Sequence, residues 1–160
     1  MKKIGVFAGT FDPCTLGHFS VVEKALDLFD EIHVILATNP DKKCMFNQEI
    51  RKQICINTFK DEPKVKVVVY DGLIVDYCRD NNANYMIRGI RGSLDFGYEN
   101  MICHANKLVY PEIETLYFMT ENKYIGISSS IVRELIKNGH YDELSKFMHP
   151  NIDLKKILTV

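Results

Sequence analysis

The side chains with most chemistry to offer stand just beyond short apolar runs. His18 closes the string Gly9-Thr10-Phe11-Asp12-Pro13-Cys14-Thr15-Leu16-Gly17-His18, Lys42 lies in the loop Asp41 to Phe46, Arg88 and Arg91 frame Gly89 and Ile90, and Ser128, Ser129 and Ser130 follow Tyr124-Ile125-Gly126-Ile127. Imidazole, ammonium, guanidinium and hydroxyl groups are hydrogen-bond donors suited to gathering phosphate oxygens and to stabilising charge that develops on them. No Ser/His/Asp or Cys/His arrangement stands out as a covalent catalyst. The guest this set suits is an anion, a nucleotide phosphate before others.

The elements that must position these groups can be read from the apolar pattern. Ile4 to Ala8 has strand character, and Phe19 to Phe29 carries apolar residues at helical spacing. The His18 string is therefore a strand-to-helix turn, where free N–H groups and the positive end of the helix dipole favour an anion. Thr15 and His18, three apart, are expected to project from one face toward it. Glu31 to Ala37 reads as a second strand, broken by Asn39-Pro40-Asp41, with Asn47 capping a helix that runs to about Phe59. Val65 to Tyr70 reads as a third strand, followed by a short helix ending near Asn81-Asn82. Tyr85 to Ile87 reads as a fourth strand that stops at the turn Arg88 to Gly92. A helix over Ser93 to about Val109, with Ser93 as cap and Tyr98, Ile102 and Ala105 facing inward, leads to a fifth strand, Glu114 to Met119. A helix beginning within the serines runs to Asn138-Gly139, and the tail from His140 reads as short helices over an edge or a subunit contact.

Alternating strands and helices define an α/β chain: a Rossmann-like, doubly wound, mostly parallel five-stranded sheet with C-terminal helices, expected to form one domain over residues 1–160. The G-x-G-x-x-G string of dinucleotide-binding dehydrogenases does not follow the first strand. A formal charge of -1 argues against a broad face for nucleic acid. No run reads as a signal peptide or a membrane span. The five cysteines lack a C-x-x-C pair, so neither a disulfide framework nor a thiolate metal site is suggested, and a reducing cytoplasm is the expected setting. Cys14, within the signature string, reads as small filler unless its thiol is activated.

The T-x-G-H pattern of Thr15 to His18 resembles the signature of the nucleotidyltransferase superfamily. The longer string from Gly9 resembles that of the phosphopantetheine adenylyltransferases. Three further segments follow in that family's order: Lys42, Arg88-Gly89-Ile90-Arg91 with Asp95-Phe96-x-Tyr98-Glu99, and the serine motif, where Tyr124 stands in place of a common tryptophan. The resemblance implies adenylyl transfer from ATP to 4'-phosphopantetheine. His18 is then expected at the triphosphate and the transition state, and Thr10 at both reacting phosphates. Lys42 and Arg88 are expected at the acceptor phosphate, and Leu73 and Ile74 beside the pantetheine arm. Phe11, Gly89, Ile90, Arg91, Glu99 and the segment Tyr124, Ile125, Gly126, Ile127, Ser128, Ser129 and Ser130 are expected at ATP. For Glu99 three readings stay open: a bond to ribose or adenine, orientation of an arginine, or a helix charge paired with Arg91 or Lys107.

The resemblance also implies Mg²⁺ held mainly by ATP phosphates and water, a homohexamer with contacts from apolar residues of the tail, and feedback by coenzyme A. Nicotinate mononucleotide or glycerol phosphate as acceptor, and a nucleotide-binding module without catalysis, are the competing readings.

Overall fold

Five apolar segments form one sheet because their residues alternate between two faces that both need cover. The computed structural model describes residues 2–38 and 42–159. The expected break at Asn39-Pro40-Asp41 lies outside the described residues. The strands are β1 (Ile4–Gly9), β2 (Glu31–Ala37), β3 (Val65–Tyr70), β4 (Tyr85–Ile90) and β5 (Glu114–Met119), and every pairing is parallel in the order β3-β2-β1-β4-β5. The helices are α1 (Leu16–Ala25), α2 (Gln48–Thr58), α3 (Ile74–Asp80), α4 (Ser93–Val109), α5 (Ser129–Lys137) and α6 (Leu154–Thr159). The first helix thus begins at Leu16 and gives way to a 3-10 turn over Leu26–Leu28.

One face of the sheet buries Phe7, Ile32, Val34, Leu36 and Ile87 against Val21, Val22, Ile54 and Val132 of α1, α2 and α5. The other buries Val6, Ala8, Ile35 and Met86 against Val75 and Cys78 of α3 and against Ile113. At the N-terminal end of the strands, Glu31 accepts hydrogen bonds from Lys2 and His33, and Tyr77 Oη lies 2.8 Å from His33 Nδ1. Lys66 lies 2.6 Å from the same carboxylate. Burial pushes the Glu31 carboxyl up, but the bonds from Lys2, Lys66 and His33 outweigh it and bring the pKa down to about 2.

The functional end is opposite. β1 and β4 pair only at Gly5 with Tyr85 and Val6 with Met86, so the two central strands part before their C-terminal ends. A crevice opens where the strand order reverses, the usual ligand position in sheets of this kind.

Several expectations need correction. β4 does not stop at Ile87 but continues through Arg88, Gly89 and Ile90, which pair with Tyr117, Phe118 and Met119 of β5. Gly89 serves packing rather than a turn, since a Cβ there would sit 2.7 Å from Val21 Cγ2 of α1. The cap of α4 is Gly92 rather than Ser93, and Tyr98 and Ala105 face outward while Ile102 is half-buried. In the tail, Leu144, Met148, Ile152 and Leu154 belong to the main core, so these apolar residues pack within the chain itself. Phe147 O accepts from Leu16 N at 2.9 Å, and the His149 ring lies 4.5 Å from that of Phe19.

Candidate functional site

Two adjoining cavities, of about 580 and 260 Å³, occupy the crevice, and Phe11, His18, Ser129 and Ser130 line both. Arg88, Gly89, Arg91, Asp95, Glu99, Ile127 and Ser128 are among the other residues lining the larger one, with Thr15 and Gly17. Thr10, Lys42, Lys43, Cys44 and Arg133 line the smaller.

His18 is placed by the start of α1. Thr15 N donates to His18 Nδ1 at 3.0 Å, while the Thr15 side chain accepts from the His18 backbone, a reciprocal cap. A backbone N–H can only donate, so Nδ1 is the acceptor and the neutral ring carries its proton on Nε2. The cap fixes the tautomer and leaves an N–H donor on a ring that borders both cavities. Burial, and secondly the charge of Arg91, lower the His18 pKa to about 4, so the ring is neutral at pH 7. The buried Phe11 ring meets it edge-on at 5.1 Å, from a backbone with φ +48°. This left-handed conformation is costly for an aromatic residue and is held by the surrounding core.

The N–H groups of the two helix starts are partly used already. In α1, Leu16 N donates to Phe147 O and His18 N to the Thr15 side chain. Thr15 is therefore buried and points at His18 rather than outward. Gly17 lets the start of α1 approach the serine motif, since a Cβ would come within 3.1 Å of Ile127 O. Ser128 caps α5 by accepting from Ile131 N at 3.3 Å, and Ser129 Oγ donates to Pro13 O at 2.7 Å, joining the last motif to the first.

The two arginines of the β4 end are each matched by a carboxylate of α4. Arg88 makes two bonds of 2.5 Å to Glu99 and a third, from NH1, to Ala8 O at 3.1 Å, so it spans the gap between β1 and β4. Arg91 pairs with Asp95 at 3.1 Å, and Lys107 pairs with Glu114. Glu99 thus orients Arg88 and is not paired with Arg91 or Lys107. Lys42 Nζ donates to Thr10 Oγ1 at 3.1 Å, which brings the second motif to the first.

Leu73 and Ile74 do not line either cavity: Leu73 is 63% exposed before α3, and Ile74 packs against the lesser core cluster. Ile90 is buried in the sheet, and Tyr124, Ile125 and Gly126 lie by the 3-10 turn Asn122–Tyr124, outside the cavity lining. The Cys14 thiol is wholly buried, and that burial, first, with Cys55 beside it, raises its pKa, so it is filler and not an activated nucleophile.

Sequence reasoning missed Arg133, Asp12 and Arg51. Arg133 NH1 donates to Asp12 O at 2.7 Å and NH2 to Ser130 Oγ at 3.2 Å. Its position three residues after Ser130 on a helix was the available signal. Asp12 is buried and accepts from Met45 N and Phe46 N, and buried Arg51 donates to Thr10 O and Phe46 O.

Among the described residues no group of three or more His, Cys, Asp or Glu is placed to hold a metal ion. Of the carboxylates lining the cavities, Asp95 and Glu99 face arginines and Asp12 faces two amides. No helix among the described residues is long and apolar enough to cross a membrane.

A parallel sheet whose order reverses at a basic, hydroxyl-lined crevice, with His18 at the head of the following helix, is suited to holding the phosphates of a nucleotide. The family model described as cytidylyltransferase-like matches residues 6–135. Solved structures share the fold, two of them nucleotide adenylyltransferases by name. A Plasmodium falciparum nicotinic acid mononucleotide adenylyltransferase complexed with NaAD has a TM-score of 0.64 at 18% identity, covering 96% of this chain and 94% of that one. A bifunctional NMN adenylyltransferase/ADP ribose pyrophosphatase from Francisella tularensis has a TM-score of 0.65 at 20% identity, covering 95% of this chain and 46% of that one. Relatives by sequence are nearer. A phosphopantetheine adenylyltransferase of Flavobacterium psychrophilum is 44% identical over 87% of this chain and 91% of its own length. One of Leptospira biflexa is 40% identical over 87% of each. The chain belongs to the phosphopantetheine adenylyltransferase family.

Proposed function

We propose that this enzyme transfers the adenylyl group of ATP to 4'-phosphopantetheine, giving dephospho-coenzyme A and pyrophosphate in coenzyme A biosynthesis. The observation that carries the reading is the convergence of four separated motifs on two joined cavities, with His18, Ser129 and Ser130 in the shared wall. An oxygen of the acceptor phosphate attacks the α-phosphorus. As that O–P bond forms, the bond to the β-phosphate oxygen breaks and its electron pair leaves with pyrophosphate. The acceptor oxygen is already anionic near neutral pH, so no base is required. The fixed N–H of His18 donates to the charge that grows on phosphoryl oxygens. Arg91, now held by Asp95, exchanges that partner for triphosphate oxygens, and Ser129 and Ser130 at the start of α5 meet the leaving phosphates. Lys42 and Thr10, already in contact, take the acceptor phosphate, while Glu99 holds Arg88 in line with it.

Mg²⁺, when bound, screens the triphosphate and polarises the leaving group. With the cavity carboxylates engaged by arginines and amides, its ligands are proposed to be phosphate oxygens and water. The five cysteines are free thiols, which suits the cytoplasm. Coenzyme A carries the same phosphopantetheine arm as the acceptor and is proposed to compete with it. A homohexamer is proposed as the working form. Its support is the outward face of α4, where Leu94, Tyr98, Met101 and Leu108 are all more than 60% exposed at a spacing of one helical stripe.

Pyrophosphate release with ATP and each acceptor in turn tests the assignment. Turnover is expected with 4'-phosphopantetheine, inhibited by coenzyme A competitively with that acceptor. Turnover with nicotinate mononucleotide or glycerol phosphate in its place would overturn the acceptor, and binding of ATP with no turnover would leave a nucleotide-binding module.

A further inference from the structure

The contact between Lys42 and Thr10 joins two loops that leave different strands, and neither side chain can enforce it. Lys42 is exposed, and one exposed hydrogen bond of 3.1 Å holds little. What fixes the loops lies behind them. Arg51, in α2 and only 7% exposed, donates from NH1 to Thr10 O at 2.7 Å and from Nε to Phe46 O at 3.2 Å. From the other side, the buried Asp12 carboxylate accepts from Met45 N at 2.8 Å and Phe46 N at 2.9 Å. Each loop is thus tied to the other by two buried side chains, and neither lies among the phosphate-binding groups assigned above.

We propose that Arg51 is a positioning residue for the acceptor, setting the register of Thr10 against Lys42; this rests on the reading of the reaction given above. The choice of side chain supports it. A guanidinium keeps its charge at any working pH and presents donors at fixed angles, so it can hold two carbonyls from different loops at a set separation. An ammonium is a single point without that fork. Misplacing a substrate-positioning group by about 1 Å can cost up to about a hundredfold in rate, so the clamp acts on affinity and alignment without touching substrate.

The test compares wild type, Arg51→Lys, Lys42→Ala and the double variant with ATP and 4'-phosphopantetheine, together with amide hydrogen exchange at Met45 and Phe46. Arg51→Lys is expected to raise the acceptor KM about tenfold, to leave the ATP KM within about twofold, and to speed exchange at both amides. Adding Lys42→Ala to Arg51→Lys is expected to raise the acceptor KM little further, because both changes break one contact. An unchanged acceptor KM in Arg51→Lys, or KM effects that multiply in the double variant, overturns the proposal; a role in stability alone would lower the melting temperature without this pattern. Should Arg51→Lys not fold, Asp12→Asn, which weakens the clamp from the opposite loop, must give the same selective rise in acceptor KM or the proposal fails. If wild type itself does not use 4'-phosphopantetheine, the reading of the reaction fails, and the exchange rates alone decide the clamp: unaltered rates in Arg51→Lys refute it.

Discussion

In the proposed reaction His18 has one job on each ring nitrogen, the cap on Nδ1 and donation from Nε2, and its titration tests them together. The unfolded chain takes up a proton there near pH 6.5, the folded chain only near pH 4, so between these values the unfolded state binds more protons. Stability from this residue is therefore full above pH 6.5 and is lost as pH falls toward 4. His18→Asn lacks the penalty, and the gap in unfolding free energy between wild type and variant should move in the variant's favour by about 2 kcal/mol between pH 7 and pH 4.5, measured by denaturant titration. Turnover should meanwhile fall about a hundredfold or more with the fold intact, while wild-type kcat/KM shows no His18 inflection between about pH 5 and 8. Pyrophosphate release that survives the substitution would remove His18 from the reaction. At this scale much was legible: spacing alone put Thr15 and His18 on one helical turn, and Asn47 was placed as a cap. The partners were not. Whether Glu99 meets Arg88, Arg91 or Lys107 depends on how α4 lies across β4, which no local pattern records. Arg51 was missed because an arginine on an amphipathic helix looks like any solvated one, and its burial appears only when two distant loops close over it.

Strand and helix limits followed the chemistry of their ends wherever an apolar run met a break: β2, β3, β5 and α4 have the expected bounds. α1 began three residues before its apolar pattern, at Leu16, and β4 ran past its expected end because Arg88 and Gly89 look like punctuation. Pairing with β5 uses the backbone of both residues, and the parting of β1 gives the Arg88 side chain room in the crevice. Gly89 is where the element is most exposed to substitution. In Gly89→Ala the new methyl group meets Val21 Cγ2 at 2.7 Å, and α1 or the Val21 side chain must shift. The expected cost is about 1–3 kcal/mol by chemical denaturation, with a further loss of turnover because α1 also carries His18. An unaltered midpoint would show that Val21 yields freely and that α1 is not pinned to the sheet at this point.

The whole molecule spends its apolar surface unevenly. The tail's large residues close the core over α1 and α2, whereas α4 has no buried residue and turns its apolar stripe outward. The amphipathic period of α4 was readable, but not which side of the helix its own sheet would claim. Its inward side is occupied instead by Asp95 and Glu99, drawn to the arginines. Met101→Glu places a charge in the middle of the stripe. Light scattering should show the proposed hexamer giving way to smaller species while the chain keeps its circular dichroism. An unchanged particle size in the variant would refute α4 as the contact of the proposed hexamer.

The short ladder between β1 and β4 has a mechanical meaning. It divides the sheet into a three-strand leaf and a two-strand leaf, fastened near one margin and free at the other. Arg88 is the stitch across the free margin, reaching Ala8 on one leaf from its seat on the other. The free margin is therefore closed by a charged side chain and not by backbone, and its strength is that of one guanidinium contact.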